Sequence, residues 1–354
     1  VSVHGTGSEN HSGLQSGMWK IRDVTIANPV VIAPMAGVSN PAFRSIAHQF
    51  GAGLIYSEMI SDKAICYSNK KTMQMTRVEA QEHPLALQLF GHEQASMVQA
   101  AQVLDQTDCD IIDINMGCPV PKVVNAGSGS ALMKDPDYAC QLVREIVAHV
   151  RKPVTVKIRL GWDRQSINAV TLAQGLQAAG ASALAVHGRT RSQLYEGEAD
   201  WSWIARVKQA VSIPVIGNGD IRTLDQARQR MEETGVDAVM VGRGVLGNPW
   251  LIRELVCGLQ HQSPPLPASP QQKMAMILDH ARRLCELKGE RVGMKEMRGH
   301  ACWYIQGLPY SNRMKDRINQ MTTLQQLTDM MGEYEQSLLS GEYPWLSAVQ
   351  ENGK

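Results

Sequence analysis

The sequence predicts an α/β protein: a (β/α)8 TIM barrel followed by a small all-helical C-terminal domain. Eight short apolar runs of strand length are separated by segments long enough for crossovers, which is the arrangement of a parallel sheet. Eight such units in a chain of 354 residues favour closure of the sheet into a barrel. The alternation then stops at a proline-rich segment, and only helical patterns follow it.

The predicted strands are short and apolar. They cover residues 29–36, 54–59, 85–90, 111–115, 154–159, 183–187, 214–218 and 238–241. Helical patterns cover residues 41–50, 92–106, 136–150, 169–179, 201–211, 224–234 and 249–259. The crossover at 60–82 is polar and rich in Lys and Met, so both a long loop over the barrel mouth and a helix remain open.

The segments outside the strand–helix repeat predict the domain organisation. Residues 1–17 contain few apolar side chains and are expected to form a disordered tail. The barrel is expected to occupy 18–262, with a hairpin at 18–28 plugging its bottom. The segment 263–270 holds four prolines and predicts a linker. A helical bundle is expected at 271–345, with helices at 271–288, 293–306, 312–321 and 323–340.

Composition is typical of a globular protein, with 44% hydrophobic and 19% charged residues. No apolar run reaches the length of about 18 residues that a membrane helix needs, and the first residues do not resemble a secretion signal. Seven scattered cysteines form neither a disulfide framework nor a metal-ligand pattern. We therefore expect a cytoplasmic protein without a metal; a monomer is favoured, although oligomeric state stays open.

Net charge is only +1, but the predicted helical domain is locally basic. Residues 281–317 hold nine Lys or Arg against four acids, an excess of +5. A solvated helix face explains many such runs. Because the excess is concentrated in an appended domain of a near-neutral chain, it favours a polyanionic partner. The residues expected to contact it are Arg282, Arg283, Lys288, Arg291, Lys295 and Arg298.

The strongest chemical signal is a cysteine at the tip of the fourth strand. The run from Ile111 ends at Gly117, Cys118 and Pro119, which break the strand abruptly. An isolated Cys is usually a small core residue. In a parallel barrel, however, active residues come from the C-terminal ends of the strands, and this thiol stands at such an end.

The other strand ends carry a matching set of groups. Apolar Pro34, Met35 and Ala36 suit contact with a flat ring, and the Gln88 amide suits a heterocycle's edge. Lys157 and Arg159 share one face of the fifth strand. A buried Lys157–Asp pair is one explanation of that lysine, and an anionic ligand is the other. The remaining strand ends carry Asn115, His187, Asn218, Gly219, Asp220, Gly242 and Arg243.

The glycines of the last two strands predict a phosphate site, because backbone N–H groups there can bind anions. Gly242-Arg-Gly-Val-Leu-Gly247 also matches GxGxxG. A dinucleotide-binding fold would need an acid about twenty residues later and another strand, whereas the proline-rich segment stands there. A phosphate site, an internal cation and a ring-binding amide together predict FMN as the cofactor.

With these residues in view, the chain resembles the tRNA-dihydrouridine synthases, and in particular their bacterial DusB-like branch. The matching stretches span about residues 18–320 and are Ala33-Pro-Met-Ala-Gly37, Ser57-Glu-Met59, Asp113-Ile-Asn-Met-Gly-Cys-Pro119 with Lys122-Val123, Gly129-Ser-Ala-Leu132, Lys157-Ile-Arg-Leu-Gly-Trp162, His187-Gly-Arg-Thr190, Asn218-Gly-Asp-Ile221 and Gly242-Arg243.

The resemblance implies an FMN-bound barrel that uses NADPH to reduce particular uridines of tRNA to 5,6-dihydrouridine. It implies Cys118 as the general acid and a set of FMN contacts: Pro34, Met35, Ala36, Gln88, Lys157, His187, Asn218, Gly219, Asp220, Gly242 and Arg243. Hydride would pass from N5 of reduced FMN to uracil C6 and a proton from Cys118 to C5. Asn115, Lys122 and Arg159 are expected to contact the uracil or its phosphate.

Two other functions are compatible with parts of this pattern. A dihydroorotate dehydrogenase-like barrel would act on a free pyrimidine, but it would not require a basic helical appendage. A tRNA-binding chaperone with an idle barrel would not need Cys118 and Lys157, and both are present.

Overall fold

The computed structural model describes residues 17–349, so the predicted tail lies outside the described residues except for Gly17. The described chain begins with an antiparallel hairpin of β1 (Trp19–Ile21) and β2 (Val24–Ile26). Its Ile21 and Ile26 are fully buried in one apolar cluster with Leu54, Ile111 and Ala183. Because each of these three residues begins a barrel strand, the hairpin closes the N-terminal end of the barrel.

The predicted barrel is confirmed. Its strands are β3 (Val30–Ile32), β4 (Leu54–Ser61), β5 (Leu85–Phe90), β6 (Ile111–Met116), β7 (Val154–Arg159), β8 (Ala183–His187), β9 (Val215–Asn218) and β10 (Ala238–Val241). They pair in parallel in chain order, and β10 pairs with β3 to close the sheet. The first barrel strand is shorter than predicted. Pro34 has no N–H for the ladder, and the chain leaves the sheet there to line the barrel mouth.

Helices surround the barrel where periodicity predicts them. They are α1 (Pro41–Gln49), α4 (Gln94–Asp105), α6 (Pro136–His149), α7 (Ala169–Ala178), α8 (Trp201–Ala210), α9 (Leu224–Thr234) and α10 (Trp250–Leu259). The crossover after β4 contains two short helices, α2 (Asp62–Cys66) and α3 (Lys70–Met75). The sequence pattern missed α5 (Pro121–Val124) and a 3-10 helix at Gly129–Lys134.

A helical C-terminal region follows the proline-rich segment. It contains α11 (Pro270–Lys288), α12 (Glu290–Tyr304), α13 (Ser311–Gln320) and α14 (Leu324–Ser340). Pro270 is not a linker residue but the first residue of α11, where its missing N–H costs no helical hydrogen bond. Ser269 and Gln272 form a capping box around it.

The helical region packs closely on the barrel. Arg283 of α11 donates to Oγ of Ser45 at 2.6 Å and to Oε1 of Gln49 at 3.0 Å, both on α1. After β10, Gly247 adopts φ +67°, and a Cβ there would come within 2.3 Å of the backbone of Trp303 in α12. Only glycine permits both this backbone conformation and this approach.

This contact predicts the effect of adding one methyl group. We expect Gly247→Ala to lower the free energy of unfolding by more than about 1–2 kcal/mol. Alanine is strained in a left-handed backbone conformation, and its Cβ would also displace α12. Thermal unfolding measures the change. Gly299→Ala, in α12, is the matched control, since nothing lies within 4 Å of its added Cβ. It should raise stability by about 0.5–1 kcal/mol, and equal behaviour of the two variants would contradict the packing argument.

Candidate active site

The C-terminal ends of the strands surround a cavity of about 410 Å³. Predicted site residues that line it are Pro34, Met35, Ala36, Asn115, Cys118, Lys157, Arg159, His187, Asn218, Gly219, Asp220, Gly242 and Arg243. Of the site residues predicted in the barrel, two do not line it. Gln88 is fully buried, and Lys122 is exposed on α5. The barrel therefore brings together groups that are up to 209 positions apart (34 to 243) in the sequence.

The Cys118 bend is held by the side chain of Asn115. Oδ1 of Asn115 accepts from the N–H of Gly117 at 3.1 Å and from that of Cys118 at 2.9 Å. Its Nδ2 donates to Oε1 of Gln88 at 2.8 Å. On the far side, Ser130 donates to the Cys118 carbonyl through both its N–H, at 3.1 Å, and its Oγ, at 2.9 Å. The backbone direction at the cysteine is thus set by hydrogen bonds on both sides.

A buried polar chain continues below the bend. Nε2 of Gln88 donates to Oδ2 of Asp113 at 2.7 Å, and Thr155 Oγ1 donates to Oδ1 at 2.5 Å. Complete burial raises the pKa of Asp113 to about 7, although these hydrogen bonds oppose the shift. Gln88 therefore supports the floor beneath Asn115 through a network that spans β5, β6 and β7.

The Cys118 thiol is held in its protonated form. Burial raises its pKa above the ordinary value, and the opposing effects of the Val120 N–H, Arg159 and Lys157 do not cancel this rise. Among residues 17–349 all seven cysteines are free, and Cys118 is the one that lines the mouth cavity. A thiol in this state is a proton donor near neutral pH and a poor nucleophile.

Lys157 is a half-buried cation, and the buried carboxyl group of Asp113 acts to raise its pKa without forming an ion pair with it. Within the described part of the chain it forms no ion pair, and its Nζ donates to Oδ1 of Asn218 at 3.2 Å. A buried Lys157–Asp pair is therefore not observed. Burial and the positive charge of Arg159 lower the pKa of Lys157 to about 8, so that it stays largely protonated at neutral pH. Its charge is available to an anion in the cavity.

Arg159 braces the same bend from β7. Its Nε donates to the carbonyl of Gly117 at 2.8 Å, and its Nη1 donates to the carbonyls of Thr190 and Leu194, both at 2.8 Å. Burial lowers its pKa to about 10, which leaves it charged at neutral pH. Arg159 thus joins the Cys118 bend to the loop after β8, a role that the sequence pattern does not reveal.

The ends of β9 and β10 carry glycines that leave the backbone open toward the cavity. Gly219 has φ +138°, and a Cβ there would lie 2.4 Å from Cβ of Ala199. Gly242 and Gly244 line the same cavity, with Arg243 between them. Arg243 is half-exposed and lies 3.6 Å from Oδ1 of Asp220. Exposed backbone next to one arginine is suited to an anionic group such as a phosphate.

Sequence reasoning missed Arg189, although it lies in the motif that begins at His187. The Arg189 guanidinium is buried and binds both carboxylate oxygens of Asp220, at 3.0 and 2.7 Å. Burial alone would raise the pKa of Asp220, but these bonds and the Ala199 N–H hold it below its ordinary value. For His187, burial and the surrounding cations lower the pKa well below its ordinary value, so the imidazole is neutral.

Tyr195 is a second residue that the sequence pattern does not identify. It belongs to the loop after β8, is 55% exposed and lines the cavity. Its ring centroid lies 4.7 Å from Cζ of Arg243 and 5.6 Å from Cζ of Arg159. An exposed ring held by two guanidinium groups at a cavity mouth offers a flat face to a planar ligand.

The predicted basic residues of the helical region fall into two sets. Arg283 binds α1 and Asp279, Lys288 pairs with Glu296 at 2.7 Å, and Arg298 donates to the Met321 carbonyl. These three have structural partners. The exposed ones are Arg282 on α11 with Arg291 and Lys295 on α12. Because Arg291 and Lys295 are four residues apart, they share one helix face.

The helical region also contributes directly to the cavity, through Trp303 of α12. Within residues 17–349, no cluster of three or more His, Cys, Asp or Glu side chains is arranged to hold a metal ion. No helix in that range is long and apolar enough to cross a membrane.

Comparison with known families agrees with this geometry. The family model for dihydrouridine synthases (Dus) matches residues 31–339, which covers the barrel and nearly all of the helical region. The chain belongs to this family. The family and enzyme class predicted from the strand-end motifs, those of the tRNA-dihydrouridine synthases, are thereby confirmed.

Two relatives illustrate the match. The chain is 38% identical over 326 residues to a probable tRNA-dihydrouridine synthase of Rickettsia bellii, covering 92% of this chain and 100% of the relative. It is 40% identical over 303 residues to tRNA-dihydrouridine synthase B of Pseudomonas aeruginosa, covering 85% of this chain and 91% of the relative. The second similarity agrees with the predicted DusB-like branch.

Among solved structures, a 6-hydroxypseudooxynicotine amine oxidase from Pseudomonas geniculata is similar with a TM-score of 0.56 and 15% identity. The similarity covers 70% of this chain and 50% of that one. At this level of identity the similarity shows the barrel fold alone.

The environment of Cys118 predicts its pH-dependent reactivity. The midpoint for alkylation of Cys118 should lie above the ordinary thiol value of 9.0, because burial disfavours the thiolate. The pH profile of iodoacetamide labelling, read on the Cys118 peptide by mass spectrometry, measures this midpoint. The urea-unfolded protein is the reference. A folded-state midpoint at or below that reference would contradict a protonated thiol.

Proposed function

We propose that this protein reduces particular uridines of tRNA to 5,6-dihydrouridine, with FMN as its bound cofactor and NADPH as reductant. The observation that carries the proposal is the Cys118 bend, held by Asn115 at the edge of a cavity that Lys157 also lines without forming an ion pair. Burial raises the pKa of the thiol, which favours its protonated form. Membership of the dihydrouridine synthase family supplies the reaction class.

The residues present fit FMN. The cavity volume of about 410 Å³ lies in the range of small-molecule sites. Gly219, Gly242 and Gly244 line the cavity at the ends of β9 and β10, and their backbone suits the phosphate. The donor set also fits: Asn218 and His187 line the wall with Lys157, and apolar Pro34, Met35 and Ala36 can cover a flat ring. Gln88, which does not line the cavity, would support the site through its hydrogen bond with Asn115.

FMN bound in this cavity and reduced by NADPH would supply the hydride for C6 of the uracil. The chain supplies the proton, which passes from Sγ of Cys118 to C5. The Asn115 hydrogen bonds and the Arg159 brace orient the thiol, so that little conformational freedom is lost at the moment of transfer. Lys157 places a positive charge in the cavity. This charge would stabilise the negative charge that moves with the hydride. His187 is neutral and therefore accepts or donates one hydrogen bond without adding charge.

The substrate would enter through the open mouth. A uridine inside folded RNA has to be flipped out of its stack to reach a barrel interior. Tyr195 would offer a stacking face there, and exposed Lys122 would meet a backbone phosphate. Asn115 and Arg159 line the same mouth, so their predicted contact with the nucleotide is compatible with their role in holding the bend.

The exposed cations of the helical region would bind the rest of the RNA. Arg282, Arg291 and Lys295 are exposed, whereas Arg283, Lys288 and Arg298 are used in packing or ion pairs. Phosphate contacts of this type position a nucleic acid without reading its sequence. Neither a dihydroorotate dehydrogenase-like activity nor a chaperone role would explain both the match to the dihydrouridine synthase family and the arrangement of groups at the cavity mouth.

The proton-donor role predicts a separation of two half-reactions. Cys118→Ala should keep its flavin and its reduction by NADPH, and should lose dihydrouridine formation by roughly 10²–10⁴-fold, the usual contribution of a general acid. Flavin absorbance and mass spectrometry of tRNA nucleosides measure the two steps. Cys140→Ala, a cysteine outside the cavity, is the control. Unchanged product yield in Cys118→Ala would remove the cysteine from this role.

The division of the basic residues predicts which charges bind RNA. Reversing Arg282, Arg291 and Lys295 to Glu should raise KM for tRNA at least tenfold at low salt and leave flavin content intact, because each lost phosphate contact weakens binding. The salt dependence of tRNA binding should become less steep in this variant. Reversal of exposed Lys20, in the hairpin at the opposite end of the barrel, is the control. Equal effects of the two changes would count against a localised RNA surface.

A further inference from the structure

A second cavity lies beside the catalytic one, at the junction of barrel and helical region. Its volume is about 530 Å³, and it is bounded by the loop after β10, the proline-rich segment and the end of α12. The two cavities share Leu246 and Trp303 as lining residues. A wall of two side chains therefore separates them.

We propose that this second cavity binds the nucleobase of a nucleotide adjacent to the uridine that enters the catalytic cavity. The inference rests on the proposed function, because it assigns a place to the RNA strand next to the reacting base. It adds a binding site, built from both parts of the chain, to the charged surface of α11 and α12.

The lining chemistry matches a nucleobase. Trp250 and Trp303 are half-buried and supply flat aromatic faces on which any base can stack. Asn248 and Gln306 are exposed amides on the same cavity, and an amide both donates to and accepts from the edge of a base. Proteins hold unpaired RNA bases by stacking aromatic side chains on them and by hydrogen bonds to their edges.

The position matches a neighbouring nucleotide. Consecutive nucleotides are joined by one phosphodiester, so their bases can occupy two pockets only if the pockets are adjacent. The shared wall meets that requirement. Half-buried Lys273 lines the second cavity and can meet the phosphate, and the rim at 264–267 is exposed, where the strand could continue into solvent.

The wall between the cavities is well supported. Trp303 packs edge-on against His300, with ring centroids 5.1 Å apart, and its backbone lies against Gly247. On the other side, Trp250 packs edge-on against Phe50 at 5.7 Å and Tyr304 at 6.4 Å. The stacking faces are thus held in place before any ligand binds, which lowers the entropy cost of binding.

The test compares two probes on the flavin-loaded full-length protein: uridine monophosphate and single-stranded triuridylate. We expect triuridylate to bind roughly tenfold more tightly, the gain typical of one stacked and hydrogen-bonded base. Asn248→Ala/Gln306→Ala should reduce that ratio of dissociation constants by roughly fivefold to tenfold. Gln320→Ala, an exposed amide of α13 outside the cavity, is the matched control and should leave the ratio unchanged. Nonspecific electrostatic attraction of triuridylate should affect the unmodified protein, the double variant and Gln320→Ala equally. It therefore does not change the comparison of their ratios.

Other outcomes would overturn the proposal. No advantage of triuridylate in the unmodified chain, or an unaltered ratio in the double variant, would exclude a second base site. If the double variant instead raised KM for NADPH in flavin reduction and left the ratio intact, the cavity would belong to the adenine of the reductant. Dihydrouridine formation in full-length tRNA is measured separately. Its absence with a normal triuridylate ratio would reject the proposed function and not the site.

Discussion

The structure of the site depends on one side chain, the carboxamide of Asn115. The strand β6 stops at the Cys118 bend, so the N–H groups of Gly117 and Cys118 leave the sheet and lose their ladder partners. Oδ1 of Asn115 accepts both. Buried N–H groups without acceptors would be costly, and this single acceptor therefore makes the bend possible. The same amide is anchored by Gln88, so the direction of the thiol follows from hydrogen bonds on neighbouring strands.

A second constraint is the excess of positive charge in the cavity. Arg159 and Arg189 are buried and Lys157 is half-buried. Within the described residues, Asp220 is the carboxylate that lines the cavity together with Lys157 and Arg159, and Arg189 binds it from behind. Removing cations from water is costly unless an anion or hydrogen bonds compensate. Backbone carbonyls compensate for Arg159, and Asp220 compensates for Arg189. Lys157 donates to an amide, while burial and the charge of Arg159 lower its pKa, and its charge is available to an anionic ligand.

The helical region takes part in building the cavity. Trp303 lines the mouth cavity, Gly247 allows the close approach of α12, and Arg283 ties α11 to α1. These contacts pack the helical region that carries the proposed RNA-binding cations directly against the cavity. They also show why counting charges overestimates that proposed surface, because Arg283 joins the two parts and Lys288 and Arg298 have partners within the helical region.

The sequence by itself determined the strands, their order and the chemistry at their ends. These features follow from apolar runs, from the rules for parallel connections and from local breaks such as Gly117-Cys118-Pro119, all of which are encoded in short windows. Only the tertiary structure decided which groups face the cavity. Gln88 lies beneath Asn115, and Arg159 donates to the Cys118 bend 42 positions away in the sequence. Trp303 reaches the cavity mouth from α12 of the helical region. Such contacts depend on how distant elements pack, and no local periodicity carries that information.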